Sequence, residues 1–250
     1  MSETWLLGIQ AVRARLKRER PGVRELLIQA GSRNRRLEEL RAEAARHGVP
    51  VREVPAATLE RIAEGLRHQG VAARAAAEPE QDEHALPGLL ARAGEQALLL
   101  VLDGVQDPHN LGACLRSAEA AGCLAAILPR DGSAPLSPVA RRAAAGAAEH
   151  LPILRVTNLA RALRALREGG FFLVGLDDEA PAVLHGLDLR GRIALVLGGE
   201  AEGLRRLTRE HCDFLARLPM LGRVESLNVS VAAGVALYEA LRQQGRLAGS

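Results

Sequence analysis

The feature that most restricts the fold of this chain is an alternation of short apolar runs with helical segments, which begins near residue 96 and continues toward the C-terminus. The apolar runs have strand length and cover residues 97–102, 124–128, 153–156, 171–176, 193–197 and 214–218. Helical spacing is found at 111–121, 138–148, 159–168 and 227–243. Continuous apolar strands interleaved with helices indicate a parallel sheet covered on both faces. We therefore predict an α/β fold whose ligand site lies beyond the carboxyl ends of the strands.

A smaller α/β unit precedes this region. Its predicted elements are a helix at 9–18, a strand at 23–28, a helix at 37–47, a strand at 49–54 and a helix at 59–65. Asn34 and Thr58 are placed to cap the second and third helices. The composition then changes to Ala, Pro, Glu and Asp without clear periodicity. We therefore divide the chain into a first domain at 1–75, a linker at 76–95 and a second domain at 96–250.

Positive charge is concentrated in the first domain. Residues 1–77 contain 15 Arg or Lys against 9 Asp or Glu, whereas the whole chain has a net charge of only +3. A basic unit favours a phosphate-rich partner such as RNA, because neutralising phosphates releases counterions. The cluster of Arg33, Arg35 and Arg36 is our candidate for contact with an RNA backbone. The alternative is a solvated helix surface with no partner.

Several broad classes of protein are disfavoured by the same sequence. The apolar runs are far shorter than the roughly 20 residues that span a bilayer. The N-terminal charges run in the reverse order of those in a secretory signal. Cys114, Cys123 and Cys212 lie far apart and show no metal-binding spacing. We therefore expect a cytoplasmic protein with no membrane segment, no metal, and reduced cysteines that serve as packing residues.

The first of three polar segments, residues 103–117, directly follows the first strand of the second domain. Asn110 is predicted to cap the next helix, which places Arg116 within its first two turns. An arginine near a helix N-terminus is unfavourable with the helix dipole, so its position indicates an anionic partner. The alternative is a capped helix with a surface arginine. His109 is a weaker candidate for a general base, because a lone loop histidine is more often solvated.

The second polar segment contains Gly198, Gly199 and Glu200 at the end of the strand at 193–197. Glycines here allow a ligand to approach the backbone closely. Their spacing does not match the GxGxxG pattern of a Rossmann nucleotide site. The alternative is a tight turn between a strand and a short helix.

The third polar segment, residues 218–232, joins the last predicted strand to the final helix. Ser226 is placed to cap that helix, so that Asn228 and Ser230 fall within its first turns. Both residue types are poor helix formers, and buried polar groups need partners. Their presence indicates binding of a ligand, and the alternative is a purely structural role in capping.

The order and spacing of the three segments resemble the three motifs of the SpoU family, which belongs to the SPOUT superfamily of knotted RNA methyltransferases. The matching residues are 110–116, 198–203 and 219–232. The first domain, which opens with residues 6–12 and closes with 68–72, resembles the L30e-like substrate domain of enzymes that methylate a guanosine in the P loop of large-subunit ribosomal RNA. The resemblance implies a homodimer with a deep C-terminal trefoil knot formed by residues from about 198 to 228. It also implies S-adenosylmethionine as the cofactor.

The resemblance further implies roles for particular residues. Backbone groups around Gly198, Leu218 and Leu227 are expected to hold the cofactor, and Gly199, Met220 and Gly222 complete this set. Gly199 departs from close relatives, which often carry Ala at this position.

The expected catalytic set comes from all three motifs. Arg116 meets the RNA phosphate or the attacking 2′-oxygen, Asn110 and Glu200 fix the substrate and the arginine, and Ser226 and Asn228 organise the pocket. The family assigns the arginine as the base. Because a guanidinium loses its proton so reluctantly, stabilisation of charge by Arg116, with phosphate or water as the acceptor, stays open.

Two other functions are compatible with the same motifs. One is a ribose 2′-O-methyltransferase acting on transfer RNA, which the additional first domain disfavours. The other is a non-catalytic RNA-binding protein on the same scaffold, which the intact set of polar residues disfavours.

Overall fold

The computed structural model describes residues 3–17, 22–76, 81–200 and 202–247, which form two sheets. The smaller sheet has the order β1-β4-β2-β3, with β2 and β3 parallel and the other two pairings antiparallel. Its domain contains β1 (Glu3–Leu7), α1 (Ile9–Leu16), β2 (Val23–Gln29), α2 (Arg35–Arg46), β3 (Val51–Val54), α3 (Ala56–Ala63) and β4 (Val71–Ala76). Separate apolar clusters cover the two faces of this sheet.

Two strands of the first domain were not predicted, and one predicted cap is wrong. β1 and β4 pair with each other, and the Ala-rich β4 has few of the β-branched residues that favour strands. The third helix, α3, is not capped by Thr58 but begins at Ala56 after Pro55. The Pro55 carbonyl accepts a hydrogen bond from the Thr58 backbone N–H at 3.0 Å, so the first turn forms earlier than the apolar spacing indicated.

The larger sheet confirms the predicted parallel α/β fold. Its eight strands have the order β10-β12-β9-β11-β6-β7-β8-β5, and all the pairings between them are parallel. The strands are β5 (Gln81–Asp82), β6 (Leu98–Asp103), β7 (Ala125–Pro129), β8 (Ile153–Val156), β9 (Phe172–Leu176), β10 (Ala182–Val183), β11 (Ile193–Gly198) and β12 (Phe214–Arg217). The helices are α4 (Leu86–Ala91), α5 (Pro108–Ala120), α6 (Pro138–Ala143), α7 (Leu159–Glu168), α8 (Arg206–His211) and α9 (Val229–Gln243).

Helices bury both faces of the larger sheet. Side chains alternate along β6, so that Leu98, Leu100 and Leu102 pack in one apolar cluster and Leu99 and Val101 in another. The first cluster includes residues of α5, α6 and α9, and the second includes residues of α4 and α7. This burial on two sides explains why the central strands are continuous apolar runs.

Part of the segment expected to be a linker belongs to the larger sheet. β5 pairs in parallel with β8 at the sheet edge, and α4 buries Leu86 and Leu89. A strand of two residues and a helix of six are too short to produce a periodic sequence pattern.

The caps of two helices near the polar segments differ from the prediction. Asp107 caps α5 by accepting a hydrogen bond from the His109 backbone N–H, and Pro108 follows at the first helical position. Asn110 therefore lies inside the first turn, and Arg116 is the ninth residue of the helix. Asn228, not Ser226, caps α9 by accepting from the Ser230 backbone N–H. The dipole argument for Arg116 is consequently wrong.

A buried ionic contact joins the two domains. Arg15 of α1 and Glu149 are each only 2% exposed, and Arg15 Nη1 lies 2.5 Å from Glu149 Oε2. Arg141 of α6 donates to the other oxygen of Glu149 at 2.7 Å. Arg15 also donates to the Ala76 carbonyl at the end of β4. The first domain is thus fixed to the second by hydrogen-bonded charges.

The cysteines are packed among apolar residues. Cys114 and Cys123 are buried and Cys212 is half-buried, and desolvation raises the pKa of each thiol to about 12. Within the described residues, no group of His, Cys, Asp or Glu is arranged to hold a metal ion. The described helices also include none that is long and apolar enough to cross a bilayer.

Candidate active site

A cavity of about 860 Å³ lies at the carboxyl ends of β9, β11 and β12, where the sequence placed the ligand site. It is bordered by residues after β9, by the turn that follows β11, and by the chain that joins β12 to α9. Of the residues predicted to form the site, it is lined by Gly198, Gly199, Glu200, Leu218, Met220, Ser226, Leu227 and Asn228. Gly222, Asn110 and Arg116 do not line it.

The turn between Gly198 and Gly203 depends on the absence of side chains. A Cβ atom at Gly198 would lie well under 3.0 Å from the Gly203 backbone, and one at Gly199 would come equally close to the Gly104 carbonyl. Gly203 has a φ of +63°, in the region that glycine prefers. The turn closes with a hydrogen bond of 3.1 Å from Gly203 N to Gly199 O. Alanine at position 199 would therefore require the turn or the Gly104 loop to shift.

Hydrogen bonds join the three polar segments into one chain of side chains. Asn110 Nδ2 donates to Glu200 Oε1 at 2.7 Å, and Asn228 Nδ2 donates to Asn110 Oδ1 at 2.9 Å. The Ser230 hydroxyl in turn donates to Asn228 Oδ1 at 2.7 Å. Residues more than 90 positions apart in the sequence, such as Asn110 and Asn228, are thereby brought into direct contact. The structure thus brings together three of the five residues of the expected catalytic set.

The other two members of that set make no such contact. The Ser226 side chain is exposed at the cavity and makes no hydrogen bond within the described residues. Arg116 is exposed on α5, and its guanidinium forms no hydrogen bond or ion pair with any described residue. An unpaired guanidinium on the helix that carries Asn110 is free to bind an anion from solution. His109 is exposed one residue before Asn110 and likewise does not line the cavity.

The cavity is strongly acidic, which the motif analysis did not anticipate. Its lining includes one arginine, Arg209, and the carboxylates Asp177, Asp178, Glu179, Glu200, Glu202 and Glu225. Arg209 pairs with Asp177 at 2.6 Å, which leaves the other carboxylates in excess. Asp178 reaches solvent, but partial desolvation and then repulsion from Asp177 raise its pKa. The excess of carboxylates favours a cationic ligand.

The sequence contained a signal for the missed acids. Asp177, Asp178 and Glu179 directly follow β9, at the same edge of the sheet as the glycine turn. The rule that ligands bind beyond the carboxyl ends of parallel strands applies to this loop as well. Glu202 and Glu225 lie within the second and third polar segments but were not selected.

The predicted RNA-contacting arginines lie apart from the cavity, in the first domain. Arg33, Arg35 and Arg36 are exposed at the start of α2, where Asn34 caps the helix by accepting from the Arg36 backbone N–H at 3.0 Å. Arg35 is 93% exposed and lies 3.5 Å from Glu39. None of the three lines the cavity, so any contact with RNA takes place at a separate surface.

The fold and the cavity define a class of two-domain protein. One domain is α/β and carries an acid-lined ligand site at the edge of a parallel sheet, and the other domain is basic. Residues 97–238 match the SpoU rRNA methylase family, and residues 5–81 match the family of RNA 2′-O ribose methyltransferase substrate-binding domains. The chain therefore belongs to the SpoU rRNA methylase family, as its three motifs implied.

Individual proteins are similar over nearly the whole length. A 23S rRNA (guanosine-2′-O-)-methyltransferase, RlmB, of Xylella fastidiosa is 56% identical over 240 residues, which are 96% of each chain. The crystal structure of an RNA 2′-O ribose methyltransferase superposes with a TM-score of 0.81 at 30% identity and covers 97% of this chain and 89% of the other. The SpoU methyltransferase AviRb of Streptomyces viridochromogenes, solved in complex with AdoMet, gives a TM-score of 0.79 at 26% identity, with coverages of 99% and 92%.

Proposed function

We propose that this protein transfers a methyl group from S-adenosylmethionine to the ribose 2′-hydroxyl of a guanosine in 23S ribosomal RNA. The observation that carries the reaction type is the chain of hydrogen bonds from Glu200 through Asn110 to Asn228 at the acid-lined cavity. The choice of substrate is supported by the RlmB relative, which matches both domains. The P loop of the peptidyl transferase centre is the proposed location of the guanosine, and a ribosomal RNA substrate places the enzyme in the cytoplasm.

The residues of the cavity suit this cofactor. When bound, S-adenosylmethionine supplies a methyl group already activated by a positively charged sulfonium. An excess of carboxylates around the cavity complements that charge, and a volume of about 860 Å³ lies within the usual range for small-molecule sites. Gly198, Leu218 and Leu227 line the cavity, and with Gly199 and Met220 they are the proposed holding residues. Gly222, which was also predicted to hold the cofactor, lies outside the lining.

The side chains of the proposed catalytic set mainly position the substrate. Asn110 and Glu200 hold each other in fixed orientations, so the Asn110 amide is presented to the incoming ribose in one geometry. Asn228 is fixed by both Asn110 and the Ser230 hydroxyl, and the exposed Ser226 hydroxyl is available beside it. Such preorganisation removes much of the entropic cost of aligning the 2′-oxygen.

Arg116 is proposed to stabilise negative charge, not to act as a base. A guanidinium stays protonated at neutral pH, so it favours the 2′-oxygen as its proton departs and does not accept that proton itself. A water molecule or an RNA phosphate oxygen is the proposed acceptor. The exposed position of Arg116, without an ion pair among the described residues, is consistent with this role.

A homodimer and a knotted C-terminal region complete the proposal. Val231, Val235 and Tyr238 of α9 are at least 40% exposed and recur at helical spacing, which leaves an apolar face suited to a second copy of the chain. The knot would be formed by the residues from about 198 to 228, and it is supported by the match of residues 97–238 to the SpoU rRNA methylase family. Light scattering of the purified protein tests the dimer, and replacement of Tyr238 by Asp should yield monomers.

The reaction is tested by incubating the protein with labelled S-adenosylmethionine and ribosomal RNA that lacks the modification. We expect one labelled ribose methyl, mapped to a guanosine of 23S rRNA. Labelling of transfer RNA alone would favour the tRNA methyltransferase alternative. Cofactor binding without transfer to either RNA would favour the non-catalytic alternative.

A further inference from the structure

A second set of contacts lies at the same edge of the larger sheet, where three loops meet. These are the loop after β6, the loop after β7 and the segment that leads into α8. The Arg205 side chain lies between them, with its guanidinium against the backbones of Gly104 and Gly132. A Cβ atom at Gly132 would lie well under 3.0 Å from Arg205 Nη2, and one at Gly104 would lie 3.4 Å from it. The two glycines therefore form a shelf that accommodates a flat guanidinium, which we call the glycine shelf.

Asp103 holds Arg205 on the glycine shelf from one side. Asp103 is the last residue of β6 and is 1% exposed. Its Oδ2 accepts a hydrogen bond of 3.1 Å from the Arg205 backbone N–H, and its Oδ1 lies 3.5 Å from Arg205 Nη1. The Arg205 side chain nevertheless stays 45% exposed. The guanidinium is thus paired with a buried carboxylate, while the Arg205 side chain as a whole remains partly exposed to solvent.

The loop after β7, which carries Gly132 of the glycine shelf, is held in place by a buried arginine. Arg155, which is 5% exposed, donates hydrogen bonds to the carbonyl oxygens of Pro129 and Ala134 on either side of the loop after β7. The Ala134 backbone N–H donates to the Val105 carbonyl at 2.8 Å, which ties this loop to the loop after β6. The position of Arg205 is therefore set by the fold and not only by its own flexible side chain.

The surroundings of Arg205 carry charges of both signs, in contrast with the neighbouring cavity, where carboxylates are in excess. Arg130, directly after β7, is exposed, and its guanidinium forms no hydrogen bond or ion pair with any residue that the structure describes, whereas the exposed Asp131 follows it in the same loop. Arg116 of α5 is equally unpaired. The loop after β6 also contacts the proposed catalytic set, because the Gln106 backbone N–H lies 3.5 Å from Glu200 Oε2. A ligand on the glycine shelf would thus be close to the reacting ribose.

We propose that Arg205, held by Asp103 on the glycine shelf, binds a backbone phosphate of the substrate RNA next to the target nucleotide. This inference rests on the proposed function, because it takes RNA as the ligand. An arginine presents its donors in a planar fork that matches two phosphate oxygens, and a fork that is already fixed loses less freedom on binding. Asp103 acts here as a positioning residue, and Arg130 adds unpaired positive charge nearby.

The test compares Arg205→Gln with Arg206→Gln in the full-length protein. Arg206 is the adjacent arginine, but it is 78% exposed and pairs with Glu210 on the surface of α8, away from the glycine shelf. The dissociation constant for an unmodified 23S rRNA fragment is measured by fluorescence anisotropy over a series of KCl concentrations. For Arg205→Gln we expect RNA binding to weaken about tenfold and the slope of log affinity against log salt to fall by about 1, as for one lost phosphate contact. Arg206→Gln should change neither quantity.

Two further variants separate charge from positioning. Asp103→Asn keeps the Arg205 charge but weakens the contact that positions the Arg205 side chain. RNA affinity should therefore fall a few-fold, while the slope of log affinity against log salt should not change. If Arg205→Gln fails to fold because it leaves Asp103 buried without its cation, the double variant Asp103→Asn with Arg205→Gln removes both charges and takes its place. Affinity for S-adenosylmethionine, measured by calorimetry, should be preserved in every variant.

The inference is overturned if a folded Arg205→Gln or double variant keeps the full salt slope, if Arg206→Gln loses as much affinity, or if cofactor binding falls together with RNA binding. A failure of the proposed function would look different. In that case the unmodified protein itself would fail to bind or methylate ribosomal RNA.

Discussion

Two adjoining parts of one sheet edge differ in charge in this protein. The loops after β9, β11 and β12 form a cavity lined mostly with carboxylates, whereas the loops after β6 and β7 and the start of α8 carry Arg130 and Arg205 together with Asp103, Asp107 and Asp131. The two parts meet where β11 pairs with β6. Because strand order in the sheet differs from strand order in the chain, this difference in charge is a property of topology. A cationic cofactor and an anionic RNA can therefore bind side by side without competing for the same groups.

The largest effect should come from Arg116 on α5, the helix that follows the loop after β6, because it is proposed to stabilise the reacting oxygen. We expect Arg116→Ala to lower kcat by about 100- to 1000-fold, the usual effect of removing one group that stabilises developing charge. Affinity for S-adenosylmethionine, measured by calorimetry, should stay within a factor of about two, since Arg116 does not line the cavity. Arg164 is also an exposed arginine, on α7 at the opposite face of the sheet, and Arg164→Ala is the matched control. Comparable turnover by Arg116→Ala would remove it from the mechanism.

Replacement of Gly198 should affect the acidic part alone. Gly198→Leu forces the backbone near Gly203 to move, so we expect affinity for S-adenosylmethionine to fall about 100-fold, or about 2.7 kcal/mol. RNA affinity should be nearly unchanged if the two parts bind independently. Gly88→Ala on α4 is the control, because a Cβ atom there meets nothing within 4 Å and should stabilise the helix slightly. An equal loss of RNA and cofactor binding would contradict the comparison.

Glu200 lies where the two parts meet, so its replacement should have an intermediate effect. Glu200→Gln keeps an oxygen for the Asn110 amide but loses the charge that strengthens the hydrogen bond of 2.7 Å. We expect kcat/KM to fall about tenfold, in line with the roughly 1.5 kcal/mol that separates charged from neutral hydrogen bonds. Initial rates with saturating cofactor measure this effect. Glu119→Gln, at an exposed position on the same α5 helix, should leave the rate unchanged.

The smallest expected effect concerns Asp178 and its dependence on pH. Its pKa is raised, so the ionised form disfavours the folded state above that pKa, and this cost is relieved as the pH falls through it. The same protonation removes a charge that attracts the sulfonium, so cofactor affinity should decrease as the pH falls through the raised pKa. Asp178→Asn should lower affinity at neutral pH by up to about fivefold, typical of one exposed charge, and should flatten the pH dependence. The control is Asp188→Asn, which removes a carboxylate whose pKa is lowered to about 2 by Arg190. In this variant the cofactor affinity and its pH dependence should stay as in the unmodified protein.

Much of the second domain followed from sequence alone, because its elements are long and strongly patterned. The helix predicted at 159–168 has those bounds in the structure, and Asn158 caps it through a local hydrogen bond to Arg161 N. Strands β5 and β10 have two residues each, and they exist only because a neighbouring strand offers hydrogen bonds. No local pattern can reveal such strands.

The candidate site was predictable where the motif residues themselves make the contacts. Hydrogen bonds join Asn110, Glu200 and Asn228 in the structure, and their catalytic role stays a prediction. The cap assigned to Asn110 was wrong because Asp107 followed by Pro108 is a stronger start signal. The hold of Asp103 on Arg205 spans 102 positions and depends on the packing of three loops, so spacing in the sequence could not indicate it.

The ion pair between Arg15 and Glu149 restricts how the two domains can move relative to each other. Arg141 donates to the second oxygen of the same carboxylate. Rotation of the N-terminal domain would separate Arg15 from Glu149 and leave a buried charge without this partner, at a free-energy cost of about 3–5 kcal/mol. The distance between the arginines of α2 and the rim of the cavity is then fixed. If these arginines contact RNA as predicted, an RNA would have to span that distance, and selectivity would come from its folded shape without any base being read.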